Sequence, residues 1–143
     1  MDFLYQDPYP ILKDDTQYKK LTSDYVKVEQ LGDREILVVD PKGLELLAQE
    51  AMDDVSFMLR SAHLQKLRNI IEDPEATDND RFVAYNLLQN AAVAVEGQLP
   101  SCQDTGTAIV VAKKGENVYT GVEDGEWLSK GIFNTYQNKN LRY

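Results

Sequence analysis

Between Asp40 and Gly97, apolar residues recur at three- and four-residue intervals almost without a break, and this spacing commits the middle of the chain to helix. Leu44, Leu47, Ala48, Ala51, Val55, Met58 and Leu59 form the first stripe. Asp40 stands ready to cap it, and Pro41 suits its first turn because the missing N–H has no intrahelical partner to lose. Leu64, Leu67, Ile70 and Ile71 carry a second helix that stops before Pro74. Thr77 and Asp80 make a capping box for a third. Val83, Leu87, Ala91 and Ala94 mark its inner face, widened by Phe82, Tyr85 and Leu88, and Gly97 ends it with Pro100 beyond.

On either side of this block the period changes. Val26, Val28 and Ile36-Leu37-Val38-Val39 are short β-branched runs separated by Gly32-Asp33, a hairpin signal. Ala108-Ile109-Val110-Val111-Ala112 reads as a buried strand, Lys113-Lys114-Gly115-Glu116-Asn117 as a turn, and Val118-Tyr119-Thr120 as its return. A last helix starts near Asp124, with Trp127, Leu128, Ile132, Thr135 and Tyr136 on its inner side. The fold class that follows is α+β, amphipathic helices packed on a small, mainly antiparallel sheet. Residues 1–24, rich in Tyr, Asp, Lys and Pro and without a sustained period, read as an extended arm ordered by packing on something else.

A chain of 143 residues makes one domain and can bury a core. Its formal charge of −9 argues against nucleic acid and anionic membranes as partners, since phosphate binding needs a basic face. It leaves room for a small anionic substrate, because a few local arginines outweigh a distant net charge. No apolar run approaches the roughly 20 residues that span a bilayer, and the opening Met1-Asp2-Phe3-Leu4-Tyr5-Gln6-Asp7-Pro8 has no secretory pattern. One cysteine allows no internal disulfide, which places the chain in the reducing cytoplasm. The ending Asn140-Leu141-Arg142-Tyr143 has no Gly or Pro punctuation and reads as a cut through a longer chain.

The densest chemistry lies in Pro100-Ser101-Cys102-Gln103-Asp104-Thr105-Gly106-Thr107. A lone cysteine is most often a small buried hydrophobe, but Ser101, Gln103 and Asp104 would be awkward beside it in a dry core. A thiolate there can be a nucleophile or a metal ligand. The nucleophile reading lacks a partner nearby in sequence, since the only histidine, His63, falls in a helical pattern and reads, like Arg60, as a surface or packing residue. The metal reading needs ligands from elsewhere. The acidic run Glu72, Asp73, Glu75, Asp78, Asp80 fails as a calcium loop, with Phe82 at a ligand position and Pro74 interrupting it. Lys113-Lys114-Gly115 lacks the rest of a nucleotide-binding loop. Arg142 has the planar fork preferred by carboxylates.

Several blocks, in order, resemble the iron–sulfur (class I) fumarate hydratases, in particular the early part of the single-chain bacterial type. They are Leu21-Thr22-Ser23-Asp24-Tyr25-Val26, Ser56-Phe57-Met58-Leu59-Arg60 with Ala62-His63, and Asp73-Pro74-Glu75-Ala76 with Asn79-Asp80. The most specific are Leu99-Pro100-Ser101-Cys102-Gln103-Asp104-Thr105-Gly106-Thr107, similar to the family's cluster loop, and Gly131-Ile132-Phe133-Asn134-Thr135-Tyr136 followed by Asn140-Leu141-Arg142-Tyr143. The resemblance implies reversible hydration of fumarate to (S)-malate by a [4Fe–4S] enzyme. It implies Cys102 as one of three cluster cysteines, Gln103 and Asp104 as substrate contacts with Asp104 in proton transfer, and Arg142 gripping a substrate carboxylate. It also implies a homodimeric complete enzyme, of which residues 25–143 form part of the N-terminal α+β domain. The two further cluster cysteines are absent here, so the isolated chain is expected to hold no cluster and to be inactive.

Two other readings remain open at this stage. L(+)-tartrate dehydratases of the same family share the cysteine loop. From a different class, the chain can be a small non-catalytic binding protein that engages its partner through the arm.

Overall fold

The computed structural model describes residues 3–8, 10, 17–102, 107–139 and 141. It opens with the expected hairpin, β1 (Val26–Leu31) and β2 (Arg34–Val39), paired antiparallel with Val26 opposite Val39 and Leu31 opposite Arg34. The turn between them passes through Gly32 at φ 61, a left-handed conformation open to glycine because it lacks a Cβ. The Asp40 N–H donates to the Tyr25 carbonyl at 2.8 Å, tying the start of the hairpin to the start of the first helix.

That helix, α1 (Pro41–Phe57), begins as the sequence indicates, with the Asp40 carboxylate accepting the Lys42 N–H at 2.9 Å. It ends at Phe57, with Met58 turning to extended backbone, one residue short of the last two members of the apolar stripe. α2 (Ser61–Glu72) and α3 (Asp78–Ala94) follow and pack on each other, burying Leu67 and Ala84. The capping box at the head of α3 is formed on both sides. Thr77 Oγ1 accepts the Asp80 N–H at 3.2 Å, and the Asp80 carboxylate accepts the Thr77 N–H at 2.9 Å.

β3 (Val118–Tyr119) adds to the free edge of β2, but parallel to it, with Leu37 opposite Val118 and Val38 opposite Tyr119. A parallel neighbour requires a long crossover, and α1, α2 and α3 all lie within it. The sheet is therefore mostly antiparallel, and the class is α+β as expected.

The 108–112 run departs from its reading as a buried strand. It pairs with no strand, and Ile109 is 81% exposed. A β-branched run becomes a strand only where another backbone supplies its hydrogen-bond partners. Both edges of β2 are taken by β1 and β3, and the run joins neither. The antiparallel return expected from Val118-Tyr119-Thr120 is replaced by the parallel pairing with β2.

The last helix, α4 (Asp124–Asn138), lies along α1. Their approach is set by Gly131, where a Cβ would stand 2.2 Å from the Glu45 carbonyl oxygen and 2.9 Å from the Ala48 Cβ. Polar bonds close the same seam. Thr135 Oγ1 donates to the Gln49 carbonyl at 3.0 Å, while Lys130 Nζ and Asn134 Nδ2 each donate to the Glu45 carboxylate at 2.8 Å. α1 thus meets α4 with Glu45, Ala48 and Gln49, whereas Leu47, Val55 and Met58 of its apolar stripe remain exposed. Among the described residues, no helix is long and apolar enough to cross a membrane.

Candidate functional site

The loop leaving α3 is fastened at two successive residues. Ser101, buried, donates its N–H at 2.8 Å and its Oγ–H at 3.1 Å to the carbonyl of Ser56. Ser56 lies in the last turn of α1, where carbonyls have no intrahelical partner, so the loop satisfies an acceptor the helix leaves open. Next, the Cys102 N–H donates to Asn90 Oδ1 of α3 at 2.6 Å. The peptide of Cys102 is held between two helices while the residue itself stays exposed.

Cys102 stands at the rim of a cleft of about 520 Å³ where α1 hands over to α2. Val55, Met58 and Leu67 supply apolar wall, and Arg60, His63 and Asn90 supply polar groups. Arg60 is the N-cap residue of α2. Its charge and the partly positive end of the helix both favour an anion at this end of the cleft. In the sequence, Arg60 and His63 read as helix-surface or packing residues. The structure brings both to the cleft that holds Cys102. The sequence carried no signal for it, because the apolar stripe runs on through Met58 and Leu59 past the point where α1 ends.

Of the four residues that the resemblance assigns to the site, Cys102 is the one the structure describes. Gln103, Asp104 and Arg142 lie outside the described residues, as do Thr105 and Gly106. Sequence reasoning passed over Ser56 and Asn90, whose roles depend on contacts 45 and 12 residues along the chain.

Iron–sulfur clusters are held by several thiolates, and this chain has one cysteine. Among the described residues, no three His, Cys, Asp or Glu side chains gather as a metal site. An exposed thiol on an anchored peptide fits a cluster as a single ligand, with the remaining ligands coming from outside these residues.

Away from the cleft, three carboxylates are held below their ordinary range. Glu45 is lowered chiefly by its hydrogen bond from Lys130, against an opposing effect of burial. Asp80 is lowered first by the Thr77 hydroxyl. Asp124 is lowered by Lys114, 2.6 Å away, and then by Thr120. Each stabilises a helix start or the α1–α4 seam.

Residues 45–143 match the family model described as Fumarate hydratase (Fumerase). The chain is 55% identical over 141 residues to the anaerobic class I fumarate hydratase of Escherichia coli (strain K12), covering 99% of this chain and 26% of that protein. It is 52% identical to the aerobic class I fumarate hydratase of Salmonella typhimurium, covering 99% of this chain and 24% of that one. Against fumarate hydratase 1, mitochondrial, of Leishmania major the identity is 50% over 131 residues, covering 90% and 24% respectively. The chain spans about a quarter of the length of these curated relatives.

Proposed function

Because the chain belongs to the fumarate hydratase (Fumerase) family, we propose that it forms the Cys102-bearing part of an iron–sulfur hydro-lyase that reversibly converts fumarate and water to (S)-malate. The observation that carries this reading is the exposed Cys102, its peptide fixed to α3 at the rim of a cleft that Arg60 makes hospitable to an anion.

Cys102 would hold one iron of a [4Fe–4S] cluster, with the other thiolates supplied from outside these 143 residues. An iron with an open position serves as a Lewis acid toward a hydroxyl or carboxylate oxygen. Removing water from malate also needs a base for the C3 proton, and Asp104 takes that proton in one direction and returns it in the other. Gln103 and Asp104 bind the dicarboxylate beside Cys102. Arg142 grips one carboxylate, a task for which the planar guanidinium is better suited than an ammonium group. Arg60 and the N-terminal end of α2 keep the cleft attractive to a dianion despite the net charge of −9 on the chain.

A thiolate ligand suits a reducing compartment, so the protein is placed in the cytoplasm, and the complete enzyme is read as a homodimer. The 143 residues alone, with one thiolate, hold no cluster and do not turn over fumarate.

The test is fumarate hydration by the full-length protein, reconstituted anaerobically with iron and sulfide, beside its Cys102→Ala variant. Wild type is expected to take up the cluster and turn over fumarate, and the variant to lose both. Cluster uptake with turnover of L(+)-tartrate in place of fumarate would reassign the substrate. A wild-type protein that takes up no cluster would refute the reading.

A further inference from the structure

We infer that Asn90 is a positioning residue for the Cys102 side chain, and through it for the metal group that Cys102 holds. Asn90 lies in the second half of α3 and reaches across the loop to accept the Cys102 N–H at 2.6 Å. The donor is a backbone N–H, so the facing atom of the amide has to be its oxygen. That settles which way the Asn90 amide is turned. One residue earlier, Ser101 is pinned to the α1 carbonyl of Ser56 through both its N–H and its hydroxyl.

The two anchors divide the work. Ser101 fixes where the loop crosses the end of α1. It does not fix the rotation of the next peptide, and that rotation helps set the direction in which the Cα–Cβ bond of Cys102 leaves the backbone, from which χ1 then places Sγ. Asn90 supplies the missing constraint, from a different helix. Cys102 is exposed, so burial does not fix its side chain in place of that bond. Ligands of a metal centre depend on such supporting hydrogen bonds, and losing one costs about 10–100-fold in metal affinity or activity.

The identity of the bound group rests on the hydro-lyase reading, but the positioning does not, and the experiment separates the two. Full-length wild type, Asn90→Ala and Asn90→Asp are compared by two readouts. The first is hydrogen exchange at the Cys102 amide in the metal-free protein. The second is the rate at which anaerobically reconstituted protein gives up iron to a chelator. Alanine is a strong helix former, so α3 is expected to keep its circular dichroism in the Ala variant. Its Cys102 amide should exchange faster, and its iron should be lost about tenfold faster or more. Asp retains an oxygen acceptor and should restore the amide protection. Unchanged exchange in the Ala variant, or exchange in the Asp variant as fast as in Ala, would overturn the inference. If wild type binds no iron at all, the hydro-lyase reading fails, and the exchange data alone still decide whether Asn90 positions Cys102.

Discussion

At the α1–α4 seam, Gly131 lets two helices touch backbone to backbone, and Thr135, Lys130 and Asn134 bond across the contact. At 108–112, a run with a far stronger apolar signal lies exposed and joins no strand. The region with the weaker hydrophobic pattern is the one this chain closes by itself. Burial at the seam comes from close approach and paired polar groups, and neither is visible in a list of apolar residues. The exposed run has the side chains for a core without the backbone partners that a strand demands.

The comparison breaks most sharply at Gly131. Gly131→Ala places a methyl group 2.2 Å from the Glu45 carbonyl oxygen, backbone that cannot swing aside as a side chain would. The helices must separate, and a loss of about 3 kcal/mol is expected from urea unfolding. A much smaller loss would mean that the seam yields easily and is not the chain's main closure. Thr135→Val keeps the shape at the buried centre of the same seam and removes the hydroxyl bonded to Gln49 and Gly131. About 1 kcal/mol should go with it, read from the same unfolding curves.

Acid probes the seam more gently. Glu45 is depressed in the folded state, chiefly by the Lys130 hydrogen bond. The unfolded chain therefore takes up this proton at a higher pH than the folded chain does. The stabilisation is complete above the ordinary glutamate value of about 4.3 and is lost as pH falls through the lower folded value. Thermal melts should show the midpoint dropping below about pH 4, and Glu45→Gln should make that drop shallower. The smallest effect belongs to the exposed run. Ile109→Ser should change the stability of the chain by no more than about 0.5 kcal/mol, because the side chain is largely exposed. A larger loss in denaturant would show that the run is packed after all.

Much of the helical architecture was legible because its causes are local. Asp40 with Pro41 and Thr77 with Asp80 cap helices through bonds spanning two or three residues, and the structure forms them. Gly32 allows the turn that pairs β1 with β2. The candidate site was legible in part. Cys102 stood out by its polar neighbours, but nothing near it in sequence pointed to Ser56 or Asn90 as its supports. Arg60 and His63 were hidden by the helical period around them, which describes packing faces and says nothing of what gathers at a helix junction.

The sequence by itself determined where the first and third helices begin, where the hairpin turns, and that a cysteine among polar neighbours follows the third helix. Capping, backbone conformation and side-chain period act over a few residues, so their outcome is written where those residues stand. Only the tertiary structure decided that β3 pairs parallel with β2, that small and polar residues close α1 against α4, and that two helices hold the peptide of Cys102. Each of these depends on which surfaces meet after the chain has crossed 12 to 89 residues. Competition among long-range partners, rather than local preference, settles that choice.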